Sequence, residues 1–385
     1  MNDFVAGGIR ALPGSGIRKF FDIAAGMEGV VSLGVGEPDF VTPWHIREEA
    51  IFSLERRRTM YTENAGKPAL REEISRYMAE RFGLGYDPGS QVLVTVGASE
   101  GIDLAMRAIL NPGDEVLVAE PCFVSYKPCV AMAGGVPVPI PTTAAHDFKV
   151  TAEDIQSKIT PKTKAIMLSY PNNPTGATLE KQELEQIAAV LRNRDIVVIS
   201  DEVYAELTYG DTPHVSIASL PGMAEKTIVL NGFSKAFAMT GWRLGWACGP
   251  APLVAAMTKI HQYIIMCAPT LAQFGGIEAL RGGAGDVQAM RKEYDARRRF
   301  LLAGLREMGL ECFEARGAFY LFPSIARFGM SSEEFCDRLL REQRLAVVPG
   351  TAFGECGEGH VRCSYAYSIE SLKEALKRLR AFVAG

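Results

Sequence analysis

Apolar residues fall along this chain in two rhythms. Five short runs rich in β-branched residues are QVLVTV (91–96), EVLVAE (115–120), KAIMLSY (164–170), IVVISDE (196–202) and TIVLNGF (227–233), and none alternates with polar positions. A strand with one wet face alternates, so continuous runs of this kind predict parallel strands covered on both sides. Between them lie stretches with helical period, Ser99–Leu110, Leu179–Asn193 and Leu253–Ile264. Thr178 precedes the second of these and offers a hydroxyl at a helix start. Strands and helices in alternation predict an α/β domain with a largely parallel sheet.

The pattern changes after about residue 280. A charged helix-period stretch (287–308) leads to GAFYLFP (317–323). A second helix (332–343) follows, then LAVVPG (345–350), HVRCSYA (360–366) and a last helix (369–383). Helices and short strands mixed in this way predict a smaller α+β domain. The expected division is a large domain over 46–280, with 1–45 and 281–385 forming an N-terminal segment plus the small domain. A cleft between the two is the expected place for a site.

Composition narrows the function classes. With 385 residues, 48% hydrophobic and 22% charged, the chain has the make-up of a globular protein of more than one domain. Lys+Arg 41 against Asp+Glu 45 gives a net charge of −4. That balance offers no positive field for nucleic acid or for an anionic membrane. No apolar run approaches the ~20 residues needed to span a bilayer. None of the eight cysteines forms a C-x-x-C pair or stands at zinc-finger spacing beside a histidine, so no metal site is expected. The N-terminus lacks the basic-then-apolar plan of a signal peptide. The chain therefore reads as cytoplasmic, with reduced thiols.

Candidate chemistry collects at predicted strand ends. Gly97-Ala98-Ser99-Glu100-Gly101 follows one strand and opens a helix. The string fits G-x-S-x-G, the nucleophile elbow of α/β-hydrolases with Ser99 as nucleophile. It fits equally a cradle in which backbone N–H groups meet a phosphate at a helix N-terminus, or a tight turn that needs glycine. Asn172-Asn173-Pro174-Thr175-Gly176 follows a second strand and by itself reads as a turn. Asp201 and Glu202 end an apolar strand, where open α/β sheets bind ligands, and Tyr204 follows closely. Lys235 lies just past another strand among small and apolar neighbours, surroundings that lower an amine's pKa and favour imine chemistry. Arg243, in a Gly- and Trp-rich stretch, suits a phosphate or carboxylate.

Asn173 precedes Asp201 by 28 residues, and Asp201 precedes Lys235 by 34. With SLGVGEPDF (32–40), YTENAGKPALRE (61–72), SDEVY, FSKAFAMTGWRLG and GEGHVRCSYA (357–366), this order resembles the fold type I, pyridoxal-phosphate-dependent class I/II aminotransferases of the aspartate aminotransferase superfamily. The resemblance spans essentially the whole chain. It implies pyridoxal 5'-phosphate as cofactor and Lys235 as the lysine that forms an imine with it. Asp201 would pair with the ring nitrogen and keep the ring cationic, the state in which it stabilises a carbanion. Asn173 and Tyr204 would hydrogen-bond the phenolic oxygen, and Phe123 would lie against the cofactor face. Ala98, Ser99 and Arg243 would hold the phosphate, with Ser234 as a further candidate. Where the family often carries a phosphate-binding serine, this chain has Gly232. Tyr61 matches a tyrosine that reaches the neighbouring subunit's cofactor, which implies a homodimer. Arg362 would grip the substrate α-carboxylate, assisted by Asn173 and the backbone of Gly36.

The implied reaction is a ping-pong exchange of an amino group between an L-amino acid and a 2-oxo acid, with glutamate and 2-oxoglutarate as one pair. SGIRKFFDIAAGMEGVVSLGVGEPDF is similar to archaeal-type aromatic aminotransferases. SGIRKF, LSYPNNPTGATL, AELTYGD, HQYI and GAFYLFPSIARFGMSS are similar to enzymes acting on N-acetyl-LL-2,6-diaminopimelate. The same core also serves C–S lyases, decarboxylases and the sensory domains of some transcription regulators. A serine hydrolase using Ser99 is the alternative outside this fold.

Overall fold

The computed structural model describes residues 4–12, 14, 27–210 and 213–384. The segment SGIRKF and Asp211 of AELTYGD lie outside the described residues. Seven strands form the central sheet: β2 (Val92–Thr95), β3 (Glu115–Glu120), β4 (Val136–Pro141), β5 (Thr163–Ser169), β6 (Val197–Asp201), β7 (Thr227–Gly232) and β8 (Gly245–Cys248). Their order is β2-β8-β7-β6-β5-β3-β4, and only β8 runs against its neighbours.

The continuous apolar runs have the expected physical cause. In β5, Ile166 and Leu168 enter one hydrophobic cluster while Ala165 and Met167 enter another across the sheet. In β3, Leu117 and Ala119 face the first cluster and Val116 and Val118 the second. Burying both faces leaves no position where a polar side chain would be cheap. The helix Gly97–Ile109 covers the second face with Ile102, Ala105, Met106 and Ile109.

β4 and β8 escape the pattern analysis. β4 is VPVPIP, an edge strand whose three prolines donate no ladder hydrogen bonds, and β8 is only four residues long. The helices Trp44–Glu55, Pro68–Phe82 and Thr270–Gly282 were also not foreseen. Thr178 does not start a helix: the next one runs Lys181–Leu191, with Glu180 as its N-cap. Glu180 and Glu183 bond reciprocally to each other's backbone there, a capping box built from two carboxylates in place of a hydroxyl.

At the C-terminal side, β9 (Tyr320–Leu321), β11 (Val348–Pro349) and β12 (Val361–Ser364) form an antiparallel sheet in the order β11-β12-β9. The helices Ala284–Glu307, Ser332–Gln343 and Ile369–Ala384 contribute to its hydrophobic cluster. β1 (Val31–Ser32) pairs in parallel with β10 (Leu345–Ala346), and Leu33 enters the same cluster. The N-terminal strap that follows β1 is thereby tied to this C-terminal body and passes over the end of the large sheet.

Candidate active site

The carboxyl ends of β5, β6 and β7 lie side by side. Ser169 and Asp201 end their strands as register partners, and Gly232 ends β7. Backbone groups at such an edge have no further strand to pair with, so the loops that leave it are free to line a cleft. A cavity of about 620 Å³ opens there. Its walls take Phe123, Asn173, Asp201, Tyr204, Ser234 and Lys235 from the large sheet's loops. Ala98, Ser99 and Arg243 line one end, Gly36 comes from the strap, and Tyr320 and Arg362 come from the small sheet. Eleven of the twelve residues singled out from the sequence thus meet in one cavity. Tyr61 does not: it is 80% exposed and lines a separate groove with Met60 and Pro269.

Lys235 Nζ donates to the carbonyl oxygen of Gly36 at 2.6 Å, and the amine lies near the rings of Tyr204 and Phe319. Burial pushes its pKa down to about 8; Arg362 and Arg243 push the same way, while Glu37 and Asp201 oppose them. Asp201 is 5% exposed and accepts from the Tyr126 hydroxyl at 2.7 Å and from the Val203 amide at 3.2 Å. Burial raises its carboxyl pKa, and the bonds from Tyr126 and Val203 pull it back. Both donors are neutral, so the buried carboxylate has room for a cationic partner such as a protonated ring nitrogen.

Arg362 is 3% exposed and has no carboxylate in ion-pair contact among the described residues. It donates from Nη1 to Asn173 Oδ1 at 2.9 Å and from Nη2 to the Gly34 carbonyl at 2.5 Å. The rings of Tyr320 and Phe353 lie 4.4 and 4.8 Å from its guanidinium carbon. Nε is buried with no hydrogen-bond partner among the described residues. A buried guanidinium of this kind has an unmet need for an anion, and its planar fork matches a carboxylate.

Arg243 reaches back over the start of the helix Gly97–Ile109, bonding the Thr240 carbonyl at 3.1 Å. Gly97 has φ +72°, and a Cβ there would stand 2.7 Å from Arg243 Nη2. Glycine lets the guanidinium close on the helix N-terminus, where the amides of the first turn have no intrahelical acceptors. The set fits a phosphate. Ser99 Oγ, by contrast, has no histidine partner among the described residues; the histidine nearest in role, His261, bonds the neighbouring Glu100 at 2.7 Å. The elbow has the string of a hydrolase and none of its base.

Gly232 also has a steric cause. It pairs with Gly245 across β7 and β8, and a Cβ would come within 3.0 Å of Gly245 Cα and 3.1 Å of the Leu244 carbonyl. Ser234, two residues past Gly232, lines the cavity and offers a hydroxyl.

Several lining residues were not foreseen. Tyr126 holds Asp201, Ser169 bonds Tyr126 at 2.8 Å, and Tyr320 bonds Tyr204 at 2.8 Å. Glu37 and Thr240 stand at the strap side. Tyr126 offered a weak signal, three residues past Phe123, since its ring meets that of Phe123 at 5.6 Å. Nothing in the local sequence marks Tyr320.

Residues 28–379 match the family described as aminotransferase class I and II. A putative aminotransferase of Bacillus subtilis, YugH, is 55% identical over 383 residues, covering 100% of this chain and 99% of that protein. An aspartate aminotransferase of Pyrococcus abyssi is 47% identical, covering 95% and 94%. The crystal structure of an aromatic aminotransferase from Pyrococcus horikoshii superposes with a TM-score of 0.91 at 43% identity, over 96% of this chain and 98% of that one.

Proposed function

This chain belongs to the class I and II aminotransferases, which are pyridoxal-phosphate enzymes, and on that premise we propose the roles of its lining residues and its substrates. One observation carries the assignment. The cavity holds three cations, Lys235, Arg243 and Arg362, none in an ion pair with a described residue, beside the buried carboxylate Asp201. That set matches the charges of a phosphorylated cationic ring and an α-carboxylate.

When bound, pyridoxal phosphate supplies the electron sink that lets a proton leave the substrate Cα. The chain's own residues do the rest. Arg362 takes the α-carboxylate bidentately, with Asn173 Oδ1 holding the other side of its fork. Arg243, Ser234 and the amides at Ala98 and Ser99 would hold the phosphate. Asp201, steadied by Tyr126, would pair with the ring nitrogen, and Asn173 and Tyr204 would supply donors to the ring oxygen. Lys235, with a pKa near 8, would take the proton from the substrate Cα and deliver it to the cofactor carbon joined to the amino nitrogen.

For substrates we propose aromatic amino acids, with glutamate and 2-oxoglutarate as the common pair. Once its three cations are assigned, the described lining has none left for a distal carboxylate, and Val35, Ile102 and Phe123 offer apolar surface instead. That lining supports a reading with aromatic side chains ahead of N-acetyl-LL-2,6-diaminopimelate and of aspartate, which both carry a second carboxylate. Glutamate rests on the family resemblance alone, and no described lining cation is assigned to its γ-carboxylate.

We also propose a homodimer that brings Tyr61 to the neighbouring subunit's cavity, in keeping with the exposure of Met60, Tyr61, Tyr263, Ile264 and Met266. The eight unpaired thiols suit a reducing cytoplasm. The helix break at Gly283 and the pairing of β1 with β10 support the proposed division into 46–280 and 1–45 with 281–385, although its boundaries at 45/46 and 280/281 fall inside the helices Trp44–Glu55 and Thr270–Gly282.

The test is an absorption titration of the holoenzyme. A visible band that bleaches with glutamate and returns with 2-oxoglutarate supports both half-reactions. Phenylalanine, tyrosine, aspartate and N-acetyl-LL-2,6-diaminopimelate then rank the donors. Release of pyruvate and ammonia from a β-substituted amino acid, without any 2-oxo acid, would instead point to a C–S lyase.

A further inference from the structure

Tyr320 is the second residue of the small domain that reaches the cavity, and no role above uses it. It is 1% exposed and sits at the start of β9. Its hydroxyl lies 2.8 Å from that of Tyr204, its ring lies 4.4 Å from the Arg362 guanidinium carbon, and a Cβ on Gly36 would stand 2.5 Å from its oxygen. One phenol therefore touches the large-domain tyrosine, the carboxylate-binding arginine and the strap that holds Lys235.

Each tyrosine hydroxyl has a single hydrogen. Once Tyr204 donates its hydrogen to the ring oxygen of the cofactor, the 2.8 Å contact can persist only with Tyr320 as donor and Tyr204 as acceptor. A hydroxyl that accepts a hydrogen bond becomes a stronger donor, because the chain of bonds polarises it. We propose that Tyr320 is a positioning residue that strengthens the Tyr204 hydrogen bond to the cofactor while holding the plane of Arg362, so that the carboxylate grip and the cofactor's oxygen are linked through one side chain. The inference rests on the reading of the cavity as the cofactor and substrate site.

Donation to the ring oxygen draws charge from the conjugated system and makes the imine nitrogen less basic, so weakening it raises the pH midpoint of the visible band. Polarisation changes the strength of a bond by about 10 to 30%, which for a hydrogen bond to a charged oxygen corresponds to a shift of about 0.1 to 0.5 pH unit. The ring itself, through its stacking on Arg362, governs carboxylate affinity.

The experiment compares holoenzymes of wild type, Tyr320→Phe, Tyr204→Phe and the double variant by spectrophotometric pH titration, with 3-phenylpropanoate as a non-reacting carboxylate probe. Tyr320→Phe should raise the band midpoint by about 0.1 to 0.5 pH unit and leave the probe's Kd within about twofold, because the ring stays. In the Tyr204→Phe background the same change should add no shift. Tyr320→Leu, which removes the ring, should weaken the probe about tenfold. An unmoved midpoint in Tyr320→Phe, an undiminished shift in the Tyr204→Phe background, or unweakened probe binding in Tyr320→Leu would overturn the proposal. So would a folded Tyr320→Phe that loses the band, since a positioning phenol leaves the attachment at Lys235 intact. Absence of the band in the wild type would instead strike the reading of the site itself.

Discussion

Asn173 presents its side-chain oxygen to Arg362 Nη1 at 2.9 Å across 189 residues of sequence. The contact joins a loop of the large sheet to a strand of the small one, at the point where a substrate α-carboxylate would lie. A group bound there would touch both bodies.

Replacing Arg362 tests that point. Arg362→Lys keeps the charge but loses the fork, and leaves Asn173 Oδ1 and the Gly34 carbonyl short of donors. Steady-state kinetics should show kcat/KM lower by at least about 30-fold, on the order of 2 kcal/mol, with much of the loss in KM. A change under threefold would remove Arg362 from the carboxylate site.

Lys235→Ala should erase the visible band and lower turnover by at least about 10⁴-fold, because general acid–base help alone contributes up to about that factor. Multiple turnovers at near the wild-type rate would refute the assignment.

The depressed pKa of Lys235 sets a pH dependence. The amine attacks an aldehyde only when neutral, so in the cofactor-free protein the rate of pyridoxal phosphate capture should climb with pH and level off above about 8. Stopped-flow capture rates from pH 6 to 11 check this. A profile still rising steeply at pH 10 would show an amine close to its ordinary value.

Asp201→Asn removes the negative partner proposed for the ring nitrogen, and kcat should fall by about 10² to 10³. Tyr126→Phe removes one neutral donor from the same carboxylate and should cost about three- to tenfold. Equal losses in the two variants would mean that Tyr126 does more than steady Asp201.

Gly232→Ser restores the serine common in the family but should not restore a phosphate contact. Its Cβ would crowd Gly245 Cα and the Leu244 carbonyl, so the variant should lose about 1 to 3 kcal/mol in urea unfolding without tighter cofactor binding. A stable variant with higher cofactor affinity would show that β7 and β8 can part.

Much of the fold and site was legible in the chain. β3 and the helix Ser332–Gln343 fall at their sequence-read limits, and the other foreseen strands lie within the runs read for them or within a residue of them. Hydrophobic burial on both faces writes itself locally, residue after residue, as an unbroken apolar run. The polar residues that end those runs could be read as chemistry because a strand end places its next side chains at the sheet edge.

Long-range decisions left no such mark. Whether β8 would run against its neighbours, whether Gly232 would face Gly245, and whether a tyrosine at 320 would meet one at 204 depend on how distant segments pack. The sequence by itself determined the strands, the helices and the order of the charged groups, because each rests on the properties of a few adjacent residues. Only the tertiary structure decided which of those groups are buried, which lack partners and which lean on one another, because desolvation and hydrogen bonding are set by atoms that the chain brings together only when folded.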